Sequence, residues 1–489
     1  LRFNLLDIGL LDTALADNTA GGDGILIGEL GTDNLGLFQV TGNTTIRNFL
    51  GDGIRITDDG IAGTTSALFN GVNISNRGKS GINIDNIRGN VNFTGTTSVD
   101  NDVLPAALGA LVSTSSAVDI QNNNATSNIN FTTLNITNAT RPTPLVGGAG
   151  LNVINNPGSV IVNELNATTN NGIALYADNA GVTTLNPSTA ILSTGNGGLI
   201  VTRGVINGGT YSDGTNTLQN TVGREAIHVK NSVIQLAFNS VSDVNSDAEG
   251  IRLQDNVAIG NTLPATTTTA SNFNRVLFTI SGQPFTPGSG GTIDNSRLNG
   301  GFFENTGGVS LSNVNFTNNG GVSGTTINGG LFAQTAQLVL AGLQVQTNNG
   351  VGIDVVSTPF FSMFGSIVSN NDLNQVRFTA ASTPPVTTTN GVYSVTLGNS
   401  INGNGNQIAA TSTDDAILIR TQGSGVGTTI NPSIVNNSVL TSGIGSDPIN
   451  MAWNGTVGTP SFTGLIALNR LTFSGDNSTG VSVDLPSAT

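Results

Sequence analysis

Cysteine is absent from this chain, which excludes disulfide bonds and thiolate metal sites. Charge is also scarce: charged residues make up 9% of the sequence, and the 16 Lys and Arg residues form no run or stripe. A formal net charge of −14 repels a phosphate backbone, so nucleic acid is excluded as a partner. No apolar run approaches the roughly 18 residues of a membrane helix, so no transmembrane segment is predicted.

Strong helix formers are also rare, whereas β-branched residues, Asn and the 65 glycines are abundant. This composition favours short strands separated by tight turns, and it hardly varies along the chain. A hydrophobic fraction of 37% is enough for a continuous core. Low lysine together with high Thr, Asn and Gly favours an extracellular or cell-surface location.

A short pattern, Gly-apolar-x-apolar, recurs along the whole chain and is the main structural signal. Its spacing is irregular, because Gly24 and Gly53 are 29 residues apart whereas Gly150 and Gly172 are 22 apart. Members of this repeat begin at Gly24, Gly53, Gly81, Ala117, Gly150, Gly172, Gly198, Ala226, Gly250, Gly330, Gly352, Gly391, Ala416 and Gly480. Irregular spacing of this kind is typical of stacked coils joined by loops of variable length.

Further alternating runs follow within each repeat, so each period holds two or three short strands. The sequence therefore predicts an all-β fold, a right-handed parallel β-helix (solenoid) of roughly sixteen irregular coils. In this fold Ile54 and Ile56 point inward and stack on Ile82 and Ile84 of the next coil, while Arg55 points outward. Gly, Asn and Asp at the corners accept the left-handed backbone that sharp turns need.

Two segments are predicted along the chain. Residues 1–20 are leucine-rich and form either an N-terminal cap or a subunit-linking strand, and residues 21–489 form a single parallel β-helix domain. The end coils of a β-helix are open sheet edges, which must be capped or pair with another chain.

These repeats resemble the right-handed parallel β-helix (pectin-lyase-like) superfamily of the surface or adhesin-like type over nearly the whole chain. Pectate lyases, polygalacturonases, phage tailspikes and many autotransporter passengers belong to that superfamily. A looser resemblance is to polymorphic outer-membrane passenger domains, whose repeats combine F-x-x-N with G-G-A-I. The corresponding segments here are "FTNNGG" from Phe316, "NGGLFAQ" from Asn328 and "NGGFFEN" from Asn299.

The resemblance also implies where catalytic residues would lie if this chain were an enzyme. Polygalacturonases carry N-x-D, D-D, G-H-G and R-I-K on successive coils, with one carboxylic acid as proton donor and another activating water. The Asp-Asp pairs here, Asp58-Asp59 and Asp414-Asp415, are not followed by G-H-G, and R-I-K does not occur. Because Asp58-Asp59 precedes Gly60, a turn is the favoured interpretation.

The densest charge lies in "GREAIHVKN" and "NSDAEGIRLQDN". Aligning these repeats places Glu225 over Glu249, His228 over Arg252 and Lys230 over Gln254, all facing outward, with acidic residues nearby. The alternative is a solvated, salt-bridged face without function. We predict no catalytic residue, but an enzyme on this fold would use Glu225, His228, Lys230, Glu249 and Arg252, combining acidic groups with a base.

No cofactor is predicted, although structural calcium is left open at Asp-Gly turns such as Asp23-Gly24 and Asp213-Gly214. Two further sets of side chains are candidates for glycan chemistry. N-glycosylation sequons include Asn73, Asn92, Asn130, Asn135, Asn138, Asn166, Asn315, Asn454 and Asn477. Phe302, Phe303, Phe360, Phe361 and Phe364 could form an aromatic sugar-stacking platform, but packing in the core or within loops is the favoured interpretation.

The function predicted from the sequence is a non-enzymatic extracellular structural protein. It would be cell-surface, adhesin-like or filament-forming, and would assemble through its ends or sides into a homo-oligomer or filament. The alternatives are a polysaccharide lyase or glycoside hydrolase on a β-helix, and a non-catalytic glycan-binding module. Glycans are accordingly candidate partners, and fold alone does not decide among these functions.

Overall fold

The computed structural model describes residues 1–9, 23–28, 36–49, 51–58, 64–77, 79–100, 116–140, 149–170, 172–185, 190–193, 197–208, 217–220, 223–258, 276–284, 286–321, 329–381, 392–398, 405–410, 414–422, 429–444, 446–454, 461–467, 469–474 and 480–484. Internal contacts divide the chain into two units, Leu1–Val222 (unit 1) and Gly223–Thr489 (unit 2). The secondary structure of the described residues consists of short strands without a helix.

Unit 1 contains the strands β1 to β19. Their bounds are β1 Arg2–Phe3, β2 Leu6–Gly9, β3 Ile25–Ile27, β4 Leu37–Phe49, β5 Ile54–Thr57, β6 Ser66–Arg77, β7 Ile82–Asp85, β8 Asn90–Asp100, β9 Val118–Gln121, β10 Asn128–Thr140, β11 Leu151–Ile154, β12 Ser159–Val162, β13 Leu165–Asn170, β14 Leu175–Asp178, β15 Val182–Leu185, β16 Ala190–Ser193, β17 Leu199–Thr202, β18 Val205–Gly208 and β19 Thr217–Asn220.

Unit 2 contains the strands β20 to β46. Their bounds are β20 Ile227–Lys230, β21 Val233–Phe238, β22 Ser240–Val244, β23 Ile251–Gln254, β24 Val257–Ala258, β25 Val276–Ser281, β26 Thr292–Asp294, β27 Gly301–Thr306, β28 Gly308–Ser312, β29 Asn315–Thr317, β30 Leu331–Thr335, β31 Gln337–Ala341, β32 Gln344–Gln346, β33 Ile353–Val356, β34 Phe360–Phe364, β35 Ile367–Ser369, β36 Val376–Ala381, β37 Val392–Leu397, β38 Gln407–Ala409, β39 Ile417–Gln422, β40 Thr429–Val435, β41 Val439–Ile444, β42 Ile449–Asn454, β43 Ser461–Phe462, β44 Leu465–Ala467, β45 Leu471–Ser474 and β46 Val481–Asp484.

Each coil contributes one strand to a parallel sheet that we call the repeat sheet. In unit 1 the repeat sheet runs β3-β5-β7-β9-β11-β14-β17, and in unit 2 it runs β20-β23-β27-β30-β33-β36-β39-β42-β46. These are seven and nine strands, so the predicted number of about sixteen coils is confirmed. The other strands of a coil build two more parallel ladders, as in β25-β28-β31-β34 and β26-β29-β32-β35 of unit 2. The predicted fold class, an all-β parallel β-helix, is confirmed.

The register of the repeat sheet follows the predicted alternation. Ile54 pairs with Ile82 and Ile56 with Ile84, and all four side chains are fully buried. Arg55 lies between Ile54 and Ile56 and is only partly buried, as expected for the outer face. Stacking identical aliphatic side chains from coil to coil produces a continuous core, because every second residue of each short strand points inward.

Three details of the predicted repeat are wrong. The strand after Gly172 begins at Leu175, because Leu175 rather than Ile173 pairs with Leu151. The segment after Gly391 is β37, which belongs to a different sheet and pairs with β34 and β40. The coils beginning at Gly301, Val376 and Ile449 were missed. All sheets of a β-helix share the same inward and outward alternation, so the pattern alone does not tell which sheet a strand joins.

Asparagine forms the corners of the coils. Among the described residues, 16 non-glycine residues have a positive φ and 12 of them are Asn, which tolerates the left-handed backbone better than other side chains. One corner column in unit 1, directly after the repeat-sheet strands, consists of Asn86, Asn122, Asn155, Asn179 and Arg203. Asn179 Nδ2 donates to Asn155 Oδ1 at 3.0 Å, whereas Asn122 and Arg203 donate to Asp85 and Asp178, the last residues of strands in the preceding coils. The predicted role of Asn at the corners is therefore confirmed.

Buried asparagines form a second kind of ladder in unit 2. The backbone N–H of Asn319 donates to Asn348 Oδ1 at 3.0 Å, and that of Asn348 donates to Asn371 Oδ1 at 3.1 Å. The three side chains are almost completely buried, and their amide groups also donate to main-chain carbonyl oxygens such as that of Phe316. Satisfying these polar groups avoids the cost of about 1–3 kcal/mol for each buried, unpaired donor.

The predicted N-terminal segment, residues 1–20, is described only in part, since residues 10–22 lie outside the described residues. Its first residues form β1 and β2, which pair in parallel with β4 through Arg2–Gln39 and Leu6–Thr44. The role of the segment as a cap or a subunit link, and the single domain over residues 21–489, stay predictions.

Candidate functional site

The charged cluster predicted from the sequence lies at the start of unit 2, on strands β20 and β23. His228 pairs with Arg252 in the parallel register, and Lys230 pairs with Gln254. Glu225 and Glu249 precede these strands by two residues, where the backbone N–H of Ala226 donates to the carbonyl oxygen of Gly250. The structure therefore brings Glu225, His228, Glu249 and Arg252 together on adjacent coils.

Each glutamate is paired with a basic side chain on its own coil. His228 Nδ1 lies 3.2 Å from Glu225 Oε1, and Arg252 Nη1 lies 3.6 Å from Glu249 Oε2. Both glutamate side chains are 6% exposed, whereas those of His228 and Arg252 are 22% and 29% exposed. The two carboxyl groups thus lie beneath His228 and Arg252, which are more exposed to solvent.

The pKa values of the two buried carboxyl groups are shifted in opposite directions. Burial raises the pKa of Glu225, but the hydrogen bond and charge of His228 outweigh that effect, and the pKa lies below its ordinary value. Burial raises the pKa of Glu249 above its ordinary value, and the charge of Arg252 offsets this only in part. Such divergence between neighbouring carboxyl groups is found in acid/base pairs, but also in structural ion pairs.

Lys230 stands apart from this cluster. It lies at the end of β20, two positions after His228, and its backbone oxygen accepts the hydroxyl of Ser232 at 2.7 Å. Its register partner Gln254 bonds elsewhere: Gln254 Nε2 donates to Glu304 Oε2 at 2.6 Å, and Arg252 Nη2 donates to Gln254 Oε1 at 3.1 Å. The contacts therefore link Arg252, Gln254 and Glu304 across two coils without involving the Lys230 ammonium group.

The column of outward side chains on the repeat sheet continues with two aromatic rings. Arg252 lies over the ring of Phe302, 5.6 Å from its centroid, and Phe302 stacks on Phe332 with centroids 5.1 Å apart. Further along, Arg377 donates two hydrogen bonds to Asp354, at 2.8 and 2.7 Å. Both faces of the Phe302 ring are therefore covered by neighbouring side chains of this chain.

The predicted aromatic platform is not a single surface. Phe303 and Phe361 are buried in the core, so the core-packing alternative is correct for them. Phe360 and Phe364 lie on the outer face of β34, in a different sheet from Phe302. Alternation explains this division, since adjacent phenylalanines on a strand must point to opposite faces.

The described residues of the two Asp-Asp pairs are hydrogen-bonded to neighbouring coils. Asp58 is buried and directly follows β5, just as Asn86 directly follows β7 in the next coil. Asn86 Nδ2 donates a hydrogen bond to the main-chain carbonyl oxygen of Asp58 at 2.8 Å. Asp59 lies outside the described residues. In the second pair, Asp415 accepts the backbone N–H of Asp447 and the side-chain amide of Asn450, both at 2.9 Å. Each oxygen of the Asp415 carboxylate thus receives a donor from the next coil.

The same arrangement, which we call the aspartate clasp, occurs in unit 1. Asp52 accepts the backbone N–H of Ser80 and the side-chain amide of Asn83, both at 2.9 Å. In the preceding coil Asp23 accepts the backbone N–H of Asp52 at 2.8 Å and lies 3.9 Å from Arg55. Burial raises the pKa of Asp52, as it does for Asp415.

Sequence reasoning missed the clasp, although its signal is present in the printed sequence. In the signal, an Asp stands directly before the small residue that opens one repeat. The partner in the next repeat is an Asn or Arg that lies three residues after the position equivalent to this Asp, as in Asp52 with Asn83 and Asp415 with Asn450. Glu225 and Glu249 occupy this same position, two residues before the first buried residue of the strand. The longer glutamate side chain pairs with its own coil instead of the next.

Among the described residues, no group of three or more His, Asp or Glu side chains is arranged to hold a metal ion. Asp23, one of the predicted calcium positions, is engaged in the clasp, and Asp213 lies outside the described residues. Structural calcium stays a prediction. The described part of the chain also contains no helix that is long and apolar enough to span a membrane.

Together, these contacts describe parallel β-helix coils on which three pairs of the outer column, Glu225–His228, Glu249–Arg252 and Asp354–Arg377, bind one another. Comparison with protein-family models, with curated proteins and with solved structures gave no match.

Proposed function

We propose that this chain is a non-enzymatic structural β-helix that is extracellular or lies at the cell surface. It is related to the pectin-lyase-like superfamily and self-associates through its coils. The observation that carries the proposal is the position of the candidate acids. Asp415 directs both carboxylate oxygens to the next coil, and Glu225 and Glu249 lie buried at the equivalent position. Acids engaged in this way stabilise the stack and leave little carboxylate surface for a substrate.

The last strand of the repeat sheet in unit 2 supports association through a coil edge. Val481 and Val483 on β46 are 38% and 47% exposed, whereas their register partners Ile449 and Met451 on β42 are buried. Among the described residues β46 pairs with β42 alone, so a further parallel strand contributed by a second copy would cover both valines and pair with its other edge.

Electron microscopy and sedimentation velocity of the purified protein test this proposal. We expect oligomers or filaments whose mass increases with concentration, and we expect Val481→Lys/Val483→Lys to dissociate them. The matched control is Val182→Lys/Val392→Lys, which changes two valines that are each 44% exposed but lie on other strands. Monomers at all concentrations, or equal dissociation by both double variants, would contradict association through β46.

A polysaccharide lyase or glycoside hydrolase is the second candidate, and the opposite pKa shifts of Glu225 and Glu249 favour it. Its residues would be Glu225, His228, Lys230, Glu249 and Arg252. Assays on acidic polysaccharides with and without Ca²⁺ decide between the two. Turnover that is lost in Glu249→Gln and His228→Ala but retained in Asp7→Asn, a change in unit 1, would establish the enzyme and overturn the structural role.

A further inference from the structure

A cleft of about 420 Å³ opens on the outer surface of unit 1, along strands β4, β6 and β8. The three strands lie side by side, and the parallel register shifts between Val40 and Asn43 and again between Phe69 and Val72. Such irregularities bend a strand, so outward side chains from before and after the bend converge. The volume lies within the range of small-molecule sites.

Apart from Val72, the side chains that line the cleft are amides and hydroxyls. Those on its wall are Asn43, Thr45, Asn70, Asn73, Thr96 and Ser98. Asn43, Asn70, Asn73 and Thr96 are exposed, and Thr45 and Ser98 are half-buried. Gly71 keeps the space open, since a Cβ there would lie 2.8 Å from Asn43 Oδ1.

The asparagines of the cleft differ from those of the following coils. In the described part of the chain, the amide groups of Asn43, Asn70 and Asn73 have no hydrogen-bond partner within the protein. The position aligned with Asn73 two coils later is Asn135, which accepts Asn166 Nδ2 at 3.0 Å. Three amide groups with open donors and acceptors therefore face one cavity, whereas their neighbours in the next coils satisfy one another.

The chemistry of the lining selects the ligand class. Each Asn offers two N–H donors and a carbonyl acceptor, and each Thr or Ser hydroxyl is both donor and acceptor. Vicinal hydroxyl groups of a sugar match this mixture. The lining carries no charge and no aromatic ring, and the chain has a net charge of −14, so an acidic glycan would find no cation there.

We propose that this cleft binds a short segment of a neutral oligosaccharide, with Asn43, Asn70 and Asn73 bonding to its hydroxyl groups. The site is separate from β46 and does not depend on the proposed self-association. Asn73 begins the sequon Asn73-Ile74-Ser75, and a glycan attached there would occupy the cleft. The test therefore uses protein produced in a host without N-glycosylation.

Isothermal titration calorimetry with cellotetraose and mannotetraose, and with tetragalacturonate as the charged comparison, tests the proposal. We expect saturable binding of at least one neutral sugar with a Kd of about 1 mM or lower. Asn70→Ala/Asn73→Ala should weaken binding at least tenfold. Asn128→Ala/Asn130→Ala removes two asparagines of β10 outside the cleft and should leave the Kd within about twofold.

Three results would overturn the site: no saturable binding of either neutral sugar, preferential binding of tetragalacturonate, or equal weakening in both double variants. Circular dichroism and the thermal midpoint monitor folding of each variant. Should Asn70→Ala/Asn73→Ala not fold, Thr45→Val/Ser98→Ala removes hydroxyl groups of the cleft with little change in shape and is expected to weaken binding in the same way. Val481→Lys/Val483→Lys should bind the sugar with unchanged affinity, which separates this proposal from self-association.

Discussion

Asp415 accepts the backbone N–H of Asp447, at 2.9 Å, across the boundary between two coils of unit 2. The bond connects a side chain of one coil to the main chain of the next at the point where the next strand is about to begin. Asp52 makes the equivalent bond to Ser80 in unit 1. A carboxylate that looked like half of a catalytic pair is therefore part of the coil-to-coil scaffold.

Removing the clasp should destabilise the fold. Asp52→Ala and Asp415→Ala each leave a buried backbone N–H and a side-chain amide without an acceptor, at a cost of about 1–3 kcal/mol. We expect a lower urea midpoint for both. Asp415→Asn should lose less stability, because its Oδ1 still accepts the N–H of Asp447.

The control for these variants is Asp7→Ala, which removes an exposed ion pair with Arg47 and should change the urea midpoint little. Unchanged midpoints for both Ala variants would show that water replaces the clasp.

The buried acids also make stability depend on pH. The pKa values of Asp52, Asp119, Glu249 and Asp415 are raised by burial above the ordinary 3.8 for Asp and 4.5 for Glu. The folded chain therefore retains these protons at pH values where the unfolded chain has released them. The contribution of these groups to the free energy of unfolding falls as pH rises from about 4 through the raised pKa values.

Glu225 acts in the opposite direction, since its lowered pKa gives stability that is lost as pH falls through that value. Urea unfolding of Asp52→Asn/Asp119→Asn/Asp415→Asn between pH 4 and 7 checks the sign. The variant should lose less stability than the wild type as pH rises over this interval. An equal or steeper loss in the variant would assign the pH dependence to other groups.

A corner column of unit 2 consists of Asn245, Asn295, Asn318, Thr347 and Asn370, and Thr347 is a position where stability can be gained. Thr347 has φ of 56° and bonds through Oγ1 to Asn318 Oδ1 at 2.9 Å. Asn295 occupies the equivalent position two coils earlier and bonds to Asn245 through its amide. Thr347→Asn should keep the bond and relieve part of the left-handed strain, raising stability by about 1 kcal/mol. Thr347→Ala, which loses the bond and keeps the strain, should lower the thermal midpoint. A lower midpoint for the Asn variant would contradict this explanation.

Removing one partner of the Arg377–Asp354 ion pair should strongly destabilise the fold. The Asp354 side chain is 3% exposed, so Arg377→Met would leave a buried carboxylate without its guanidinium, at a cost of about 3–5 kcal/mol. Asp354→Asn/Arg377→Met removes the charge as well and should recover much of the loss. A double-mutant cycle by urea unfolding measures the coupling. Additive effects would show that the two charges do not depend on each other.

The fold was predictable because its signal is short-range and repeated. Alternation around Ile54 and Ile82 fixes which face is buried, and Gly or Asn marks the corners. The register of individual coils was harder to predict: after Gly172 the repeat-sheet strand begins at Leu175 instead of Ile173, and the strand after Gly391 belongs to another sheet. Only the pairing between coils shows which sheet a strand joins.

The candidate site was predictable in position but not in role. Aligning the two repeats placed His228 beside Arg252 correctly. The burial of Glu225 and Glu249 beneath His228 and Arg252 depends on how far each side chain reaches. An alignment of the repeats does not show this distance. The cleft beside Asn73 was not predicted at all, because it results from bends near Asn43 and Asn70 that leave no distinct residue pattern.

The two kinds of ladder point in opposite directions along the chain. In the clasp, an earlier coil provides the acceptor and the next coil the N–H, as from Asp52 to Ser80. In the buried asparagine ladder the earlier coil provides the N–H and the next coil the acceptor, as from Asn348 to Asn371. An insertion within a strand or corner would separate these donors from their acceptors, whereas a longer connecting loop leaves them paired, as the unequal spacing of the repeats shows. Longer loops and the duplication or loss of whole turns are therefore the changes in length that this architecture tolerates during evolution.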